Sequence, residues 1–291
     1  MFKGFIKKFV KVKKGKIFCR VGGKGPPLLL LHGYPQTHLM WHKTASQLKK
    51  DFTVIAADLR GYGSSFVLPG DSKHINYSKR EMAKDMVQLM EALGYKKFLL
   101  AGHDRGGRVA HRIARDYRKK VIAMSILDIC PTLDMYELTD KNFAKAYFHW
   151  FFLIQPKWLP EKMINSDPRK WMQNCLDKWS GKFKFGKVEK EYLKSFKQTN
   201  RIHATCEDYR AAATIDLQHD KKDRKKKLSI PLQVLWGKHG VIEKQFEPLK
   251  IWQKYTTKKI LGFAINSGHF IPEQNPKETI YQLKKFFLKY V

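Results

Sequence analysis

The chain is short of acidic residues. Against 57 Lys and Arg it carries only 26 Asp and Glu in 291 residues, a formal net charge of +31. Cysteine is also scarce: Cys19, Cys130, Cys175 and Cys206 stand far apart, with no C-x-x-C pair. That spacing offers no zinc-like ligand set and no disulfide framework, so free thiols and no metal are expected. No stretch approaches the roughly 20 consecutive apolar residues that a membrane-spanning helix needs. Met1 to Lys16 mixes Lys with single aromatics and lacks the apolar run of a signal peptide. The expected compartment is therefore the cytoplasm. No internal repeat is present, and the only biased segment is Lys221 to Lys227 (KKDRKKK).

The positive surplus invites a reading as a nucleic-acid or anionic-membrane binder, because Lys and Arg neutralise phosphates and release counterions. Its distribution argues against that. Lys96-Lys97, Lys119-Lys120, Lys258-Lys259 and Lys284-Lys285 spread the charge from end to end, and only KKDRKKK is dense. That run sits where a domain linker would fall, and no nucleic-acid motif accompanies it. The expectation is a Lys-biased solvated surface that draws small anions, with no specific nucleic acid and no membrane as partner.

What the chain does have is a strand-and-helix alternation. Hydrophobic residues make up 43% and aromatics 13%, enough for a large core. Pro27 to Leu31, Phe52 to Ala57, Phe98 to Ala101 and Val121 to Leu127 are short apolar runs, each ending at a polar or Gly-containing turn. Such runs belong to parallel strands covered on both faces. Helical periodicity lies between them, as in Ser78 to Leu93, where Ser78 and Glu81 form a capping box. After Pro131 the pattern changes: Tyr136 to Ile154 is aromatic and helical in period, and Pro156, Pro160 and Pro168 interrupt the stretch beyond it. Strand runs return at Leu232 to Trp236 and Ile260 to Ile265. The expected fold is a doubly wound α/β sheet with an inserted helical cap: core over 1–133, cap over 134–225, core again over 226–291.

In open α/β sheets, ligands bind at the carboxyl ends of the strands. Gly102-x-Asp104-x-Gly106 stands there with the spacing of a nucleophile elbow, but with Asp in the place of Ser. By itself the pattern also fits a Gly-rich turn with an Asp N-cap. A carboxylate that attacks an sp³ carbon forms an ester, which activated water can hydrolyse; a serine would form an ether and stall. The substrate class is thus an alkyl halide or an epoxide, with no cofactor needed. His269, in Asn266-Ser267-Gly268-His269, is the candidate base. Asp128 at the end of the fourth run is the preferred acid to orient it, with Glu243 as competitor. The backbone N–H groups of Tyr34 and Arg105 are the candidate oxyanion donors. Read blandly, His269 is a surface loop histidine and Asp128 a helix cap.

His32-Gly33-Tyr34-Pro35-Gln36, Asp58-Leu59-Arg60-Gly61-Tyr62-Gly63, Gly102-His103-Asp104-Arg105-Gly106-Gly107-Arg108 and Leu127-Asp128-Ile129 resemble the fluoroacetate (haloacetate) dehalogenases. His149-Trp150 and Asp208-Tyr209-Arg210 also match, so the resemblance spans residues 26–275. It implies that Asp104 displaces halide while Arg105 and Arg108 grip the substrate carboxylate, a task suited to a guanidinium fork. It places His149, Trp150 and Tyr209 around the departing halide, with Trp179 nearby, and brings a homodimer into consideration. Without it, Trp150 and Tyr209 read as core aromatics and Arg108 as one half of a helix ion pair. An epoxide hydrolase with the same three residues, Tyr209 and a second tyrosine (Tyr147 or Tyr192) is the alternative enzyme. A non-enzymatic ligand or nucleic-acid binder on the same scaffold is the alternative of another class. Tyr34 replaces the family's usual Phe, where only its backbone is expected to be needed; Ser180 to Val188 diverges, which leaves pocket width and halide preference open.

Overall fold

The computed structural model describes residues 1–291. The strands are β1 (Ile6–Val12), β2 (Gly15–Gly22), β3 (Pro27–Leu31), β4 (Thr53–Ala57), β5 (Phe98–His103), β6 (Val121–Leu127), β7 (Leu232–Gly237) and β8 (Leu261–Ile265). They form one sheet in the order β1-β2-β4-β3-β5-β6-β7-β8. β1 and β2 run antiparallel to their neighbours, and every pairing from β4 to β8 is parallel. The central strands owe their place to composition. Leu28 to Leu31 and Phe98 to Ala101 are wholly buried, as a strand covered on both faces requires.

The antiparallel pair is the feature that the apolar runs do not announce. β1 reads Ile-Lys-Lys-Phe-Val-Lys-Val and is exposed along most of its length. Lysines along an edge strand deter edge-to-edge pairing between molecules, and they also hide the strand from a search for apolar runs.

Helices α1 (His42–Leu48), α2 (Lys79–Ala92) and α3 (Arg105–Asp116) pack on the sheet. Between β6 and β7 lie α4 (Thr132–Glu137), α5 (Lys141–Ala146), α6 (His149–Phe152), α7 (Leu159–Ser166), α8 (Pro168–Ser180), α9 (Lys187–Phe196), α10 (Thr199–Ala213) and α11 (Ile215–Asp223). The chain closes with α12 (Val241–Gln245), α13 (Pro248–Gln253), α14 (Ile271–Gln274) and α15 (Pro276–Phe287). None of these helices is long and apolar enough to cross a membrane. The helical period of Tyr136 to Ile154 resolves into the end of α4, α5 and α6 rather than one helix. Asp140 starts α5 afresh by accepting the Phe143 amide at 2.7 Å, and Tyr147 leaves helical geometry at its end. Ser78 caps α2 as expected, while the Glu81 carboxylate turns to Lys14 and Lys84 instead of back to Ser78.

The inserted helices share one apolar cluster with the sheet, in which Phe143, Trp150 and Tyr192 join Leu29 and Leu100. KKDRKKK is not a loose linker. Lys221 to Asp223 finish α11, and the buried Asp223 pairs with Arg80 and Arg112. Its lysines face solvent, and its one acid ties the run to α2 and α3.

Candidate active site

β5 delivers its chain into a turn so tight that only glycine fits beside it. A Cβ on Gly106 would lie 2.5 Å from the His32 carbonyl oxygen, and one on Gly102 would lie 2.5 Å from that of Gly106. Asp104, at the apex, sits at φ 46° and ψ −116°, a conformation that L-residues rarely adopt. Its side chain caps nothing on α3. Instead Oδ1 accepts the backbone N–H of Tyr34 at 2.8 Å, across from the end of β3. The Asp104 carboxyl is held below its ordinary value. Burial opposes its charge, but His269 and the other positive groups around it, including Arg105 and Arg108, outweigh burial.

Asp128 follows β6 and also takes positive φ, at 53°. Its Oδ1 accepts the Gly237 amide at 2.7 Å, and its Oδ2 meets His269 Nδ1 at 2.5 Å. With Nδ1 engaged, Nε2 of His269 faces Asp104, 3.9 Å from Oδ2. The competitor Glu243 turns away to the indole N–H of Trp236. Burial pulls the His269 imidazole down, but the hydrogen bond to Asp128 and the charges of Asp128 and Asp104 leave it above its ordinary 6.5. The structure therefore gathers a carboxylate, an imidazole and a second carboxylate in line. Such a set can form and then hydrolyse an ester on Asp104.

Arg105 and Arg108 leave the first turns of α3, and both are buried. Arg105 is already gripped: Nε and Nη2 fork onto the Asp208 carboxylate at 2.8 and 2.7 Å, and the Tyr209 ring covers its face at 4.1 Å. Arg108 makes no ion pair. Its Nη1 donates to Thr132 Oγ1 at 2.8 Å and to the Cys130 carbonyl at 3.2 Å, and Trp150 lies against its face at 4.7 Å. On each guanidinium one buried nitrogen is left without a partner, Nη1 of Arg105 and Nε of Arg108. A buried guanidinium nitrogen without a partner is a donor that a small anion could meet.

His149 lies between the rings of Tyr34, Tyr147, Trp179 and Tyr209, and its Nδ1 is buried without a partner. Burial holds this imidazole well below the usual histidine range, so it is neutral near pH 7 and can offer one N–H. Trp150 packs among Tyr136, Phe143 and Tyr147, and Tyr209 packs edge-on against Tyr34. The two tyrosines named for an epoxide site part company: Tyr192 Oη donates to Glu273 at 3.1 Å, whereas Tyr147 Oη stands 3.5 Å from His269 Nδ1.

Three neighbours carry roles that motif reading did not assign. His103 Nε2 lies 2.7 Å from the His269 carbonyl oxygen and fixes the loop that presents the imidazole. His32 accepts the Leu59 amide on Nε2 and donates from Nδ1 to the Gly33 carbonyl, steadying the turn that aims the Tyr34 N–H. Trp171 donates to Tyr34 Oη at 2.6 Å, so the hydroxyl absent from Phe is used. His103 and His32 sit inside the quoted motifs; Trp171 offers no signal in the sequence.

The family model for the alpha/beta hydrolase fold matches residues 26–276. A fluoroacetate dehalogenase from Burkholderia sp is 42% identical over 290 residues, covering 98% of this chain and 95% of that protein. The chain belongs to the haloacetate dehalogenase family of the α/β hydrolases. Among solved structures, a Nostoc sp PCC 7120 protein assigned to the α/β hydrolases superposes with a TM-score of 0.97. It is 49% identical, and the match covers 98% of this chain and 99% of that one. A soluble epoxide hydrolase from Corynebacterium sp. (strain C12) is 33% identical over 91% of each chain.

Proposed function

We propose that the chain hydrolyses a haloacetate, taking fluoroacetate to glycolate and fluoride. Asp104 attacks the α-carbon, the carbon–halogen bond breaks, and its electron pair leaves with the halide. The product of this step is a carboxymethyl ester on Asp104. His269, oriented by Asp128, takes a proton from water, and the hydroxide adds to the ester carbonyl of Asp104. The resulting oxyanion is the former Oδ1, which already accepts the Tyr34 N–H; the Arg105 amide supplies the second donor. Collapse releases glycolate and restores the carboxylate. In this reading Arg105 and Arg108 hold the substrate carboxylate, while His149, Trp150 and Tyr209 receive the halide. Closure matters because fluoride must exchange strong hydration for protein donors.

The observation that carries the proposal is the unpartnered nitrogen on each of Arg105 and Arg108, the two buried guanidiniums whose charge helps to lower the Asp104 carboxyl. A neutral epoxide would leave both buried donors unmet, which is costly. The similarity to the Burkholderia enzyme supports the same reading. Halide-selective electrodes test it with fluoroacetate and chloroacetate. Halide release that disappears in Asp104→Asn supports it. Styrene oxide turnover without halide release from either acid would move the assignment to epoxide hydrolysis.

A further inference from the structure

Asp208, among the inserted helices, pairs with both Arg105 and Lys79, and the reaction above makes no use of it. It is wholly buried on α10. Oδ2 accepts Arg105 Nε at 2.8 Å and Tyr62 Oη at 2.7 Å; Oδ1 accepts Arg105 Nη2 at 2.7 Å and the Lys79 ammonium. The Asp208 backbone carbonyl takes a further bond from Arg105 Nη2 at 2.7 Å. Lys79 is shared with Asp216, 3.4 Å away. Burial opposes the Asp208 charge, and Arg105 and Lys79 still hold its carboxyl well below the usual range.

This arrangement does two things for Arg105. It consumes Nε and Nη2, so Nη1 is the one nitrogen left for a ligand. It also provides the guanidinium with a partner other than the neighbouring Asp104. A buried arginine beside two carboxylates pairs with the one that meets its fork squarely. Were Asp208 absent, Arg105 would lose the partner that fixes which nitrogen it presents. The next residue on α10, Tyr209, covers the guanidinium face. Tyr62, from the Asp58 to Gly63 motif of the core, holds Asp208 in turn.

We propose that Asp208, held by Tyr62 and Lys79, is the positioning residue that turns Arg105 into a one-pronged clamp for the substrate carboxylate. The inference rests on the haloacetate reading of the site. It makes α10 the element that sets both ends of the substrate, the carboxylate through Asp208 and the halide through Tyr209. It also gives the tyrosine of the Asp58 to Gly63 motif a reason to be there.

The test measures glycolate binding by titration calorimetry and chloroacetate kinetics for the wild type, Asp208→Asn and Tyr62→Phe, with melting temperatures alongside. An Asn amide would present N–H groups to Arg105, Lys79 and Tyr62, all donors, so Asp208→Asn is expected to weaken glycolate binding by about tenfold or more. KM for chloroacetate should rise by a similar factor, with a smaller fall in kcat. Tyr62→Phe, which removes one hydrogen bond and keeps the ring, should shift both in the same direction by about two- to fivefold. If Asp208→Asn does not fold, Tyr62→Phe decides. Wild-type glycolate affinity and KM in the folded variants, or a loss in kcat alone, would overturn the positioning role. Weaker glycolate binding in a protein that releases no halide would remove the haloacetate reading and keep the clamp. Halide release with glycolate binding untouched by the variants would do the reverse.

Discussion

The catalytic proposal stands on one imidazole. His269 must be neutral to accept a proton from water, yet Asp128 and Asp104 hold its pKa above 6.5. Once Asp104 is esterified its charge is gone, and the Asp128 hydrogen bond and charge are left to oppose burial; hydrolysis of the ester should lose rate on the acid side as His269 takes up a proton. Asp128→Asn removes the raising hydrogen bond and charge, so the same limb should move to lower pH while the plateau rate falls. Single-turnover rates across pH check this, and an acid limb unmoved by Asp128→Asn would contradict it. The buried histidines beside it are kept out of the titration. Burial is the main cause that holds His103 down at about 3, which leaves it a neutral donor to the His269 carbonyl through the working range.

At the scale of elements, the question is what holds the inserted helices over the strand ends. Glu273, on α14, is buried four residues after His269 and binds both Tyr192 of α9 and Gln36, two residues past Tyr34. Lys43 Nζ bonds its backbone oxygen at 2.9 Å. Burial raises its carboxyl from 4.5 to about 8, against the lowering pull of Tyr192, Gln36 and Lys43. The folded state thus keeps a proton that the unfolded chain gives up above about 4.5, so this contribution to stability is complete below that pH and vanishes as pH rises through about 8. Glu273→Gln cannot ionise, and its melting temperature should fall less than that of the wild type as the pH rises from about 5 to 9. Parallel slopes for the two proteins would contradict this. The same scale shows what a sequence does and does not disclose. Apolar runs such as Leu28 to Leu31 mark central strands because burial on both faces demands them. β1 escapes because an edge strand needs only its pairing and tolerates Lys7, Lys8 and Lys11. The residues Asp104, Asp128 and His269 can be picked out because each follows a strand, whereas Glu273 and Asp208 gain meaning only from partners far along the chain. Asp208 meets Arg105 across 103 positions, a contact that no local pattern encodes.

At the scale of the molecule, the charge of +31 and the closed site fit one picture. The surface lysines lie outside the site, and the acids Asp220 and Asp223 are taken up by Arg112 and Arg80 inside the α11 contacts. In the proposed function the outer field would draw anions in and the inner arginines would select among them. Asp104 and His269 are nearly shut off from solvent, at 6% and 3% exposure. All of this rests on Asp104 becoming esterified. The direct measurement is the intact-protein mass of His269→Asn after incubation with fluoroacetate, with fluoride read in the same tube. The account predicts one fluoride per chain and a mass increase of one carboxymethyl group, mapped to the peptide that carries Asp104. Fluoride released over many turnovers from an unmodified chain would contradict it, because water and not Asp104 would then be the nucleophile.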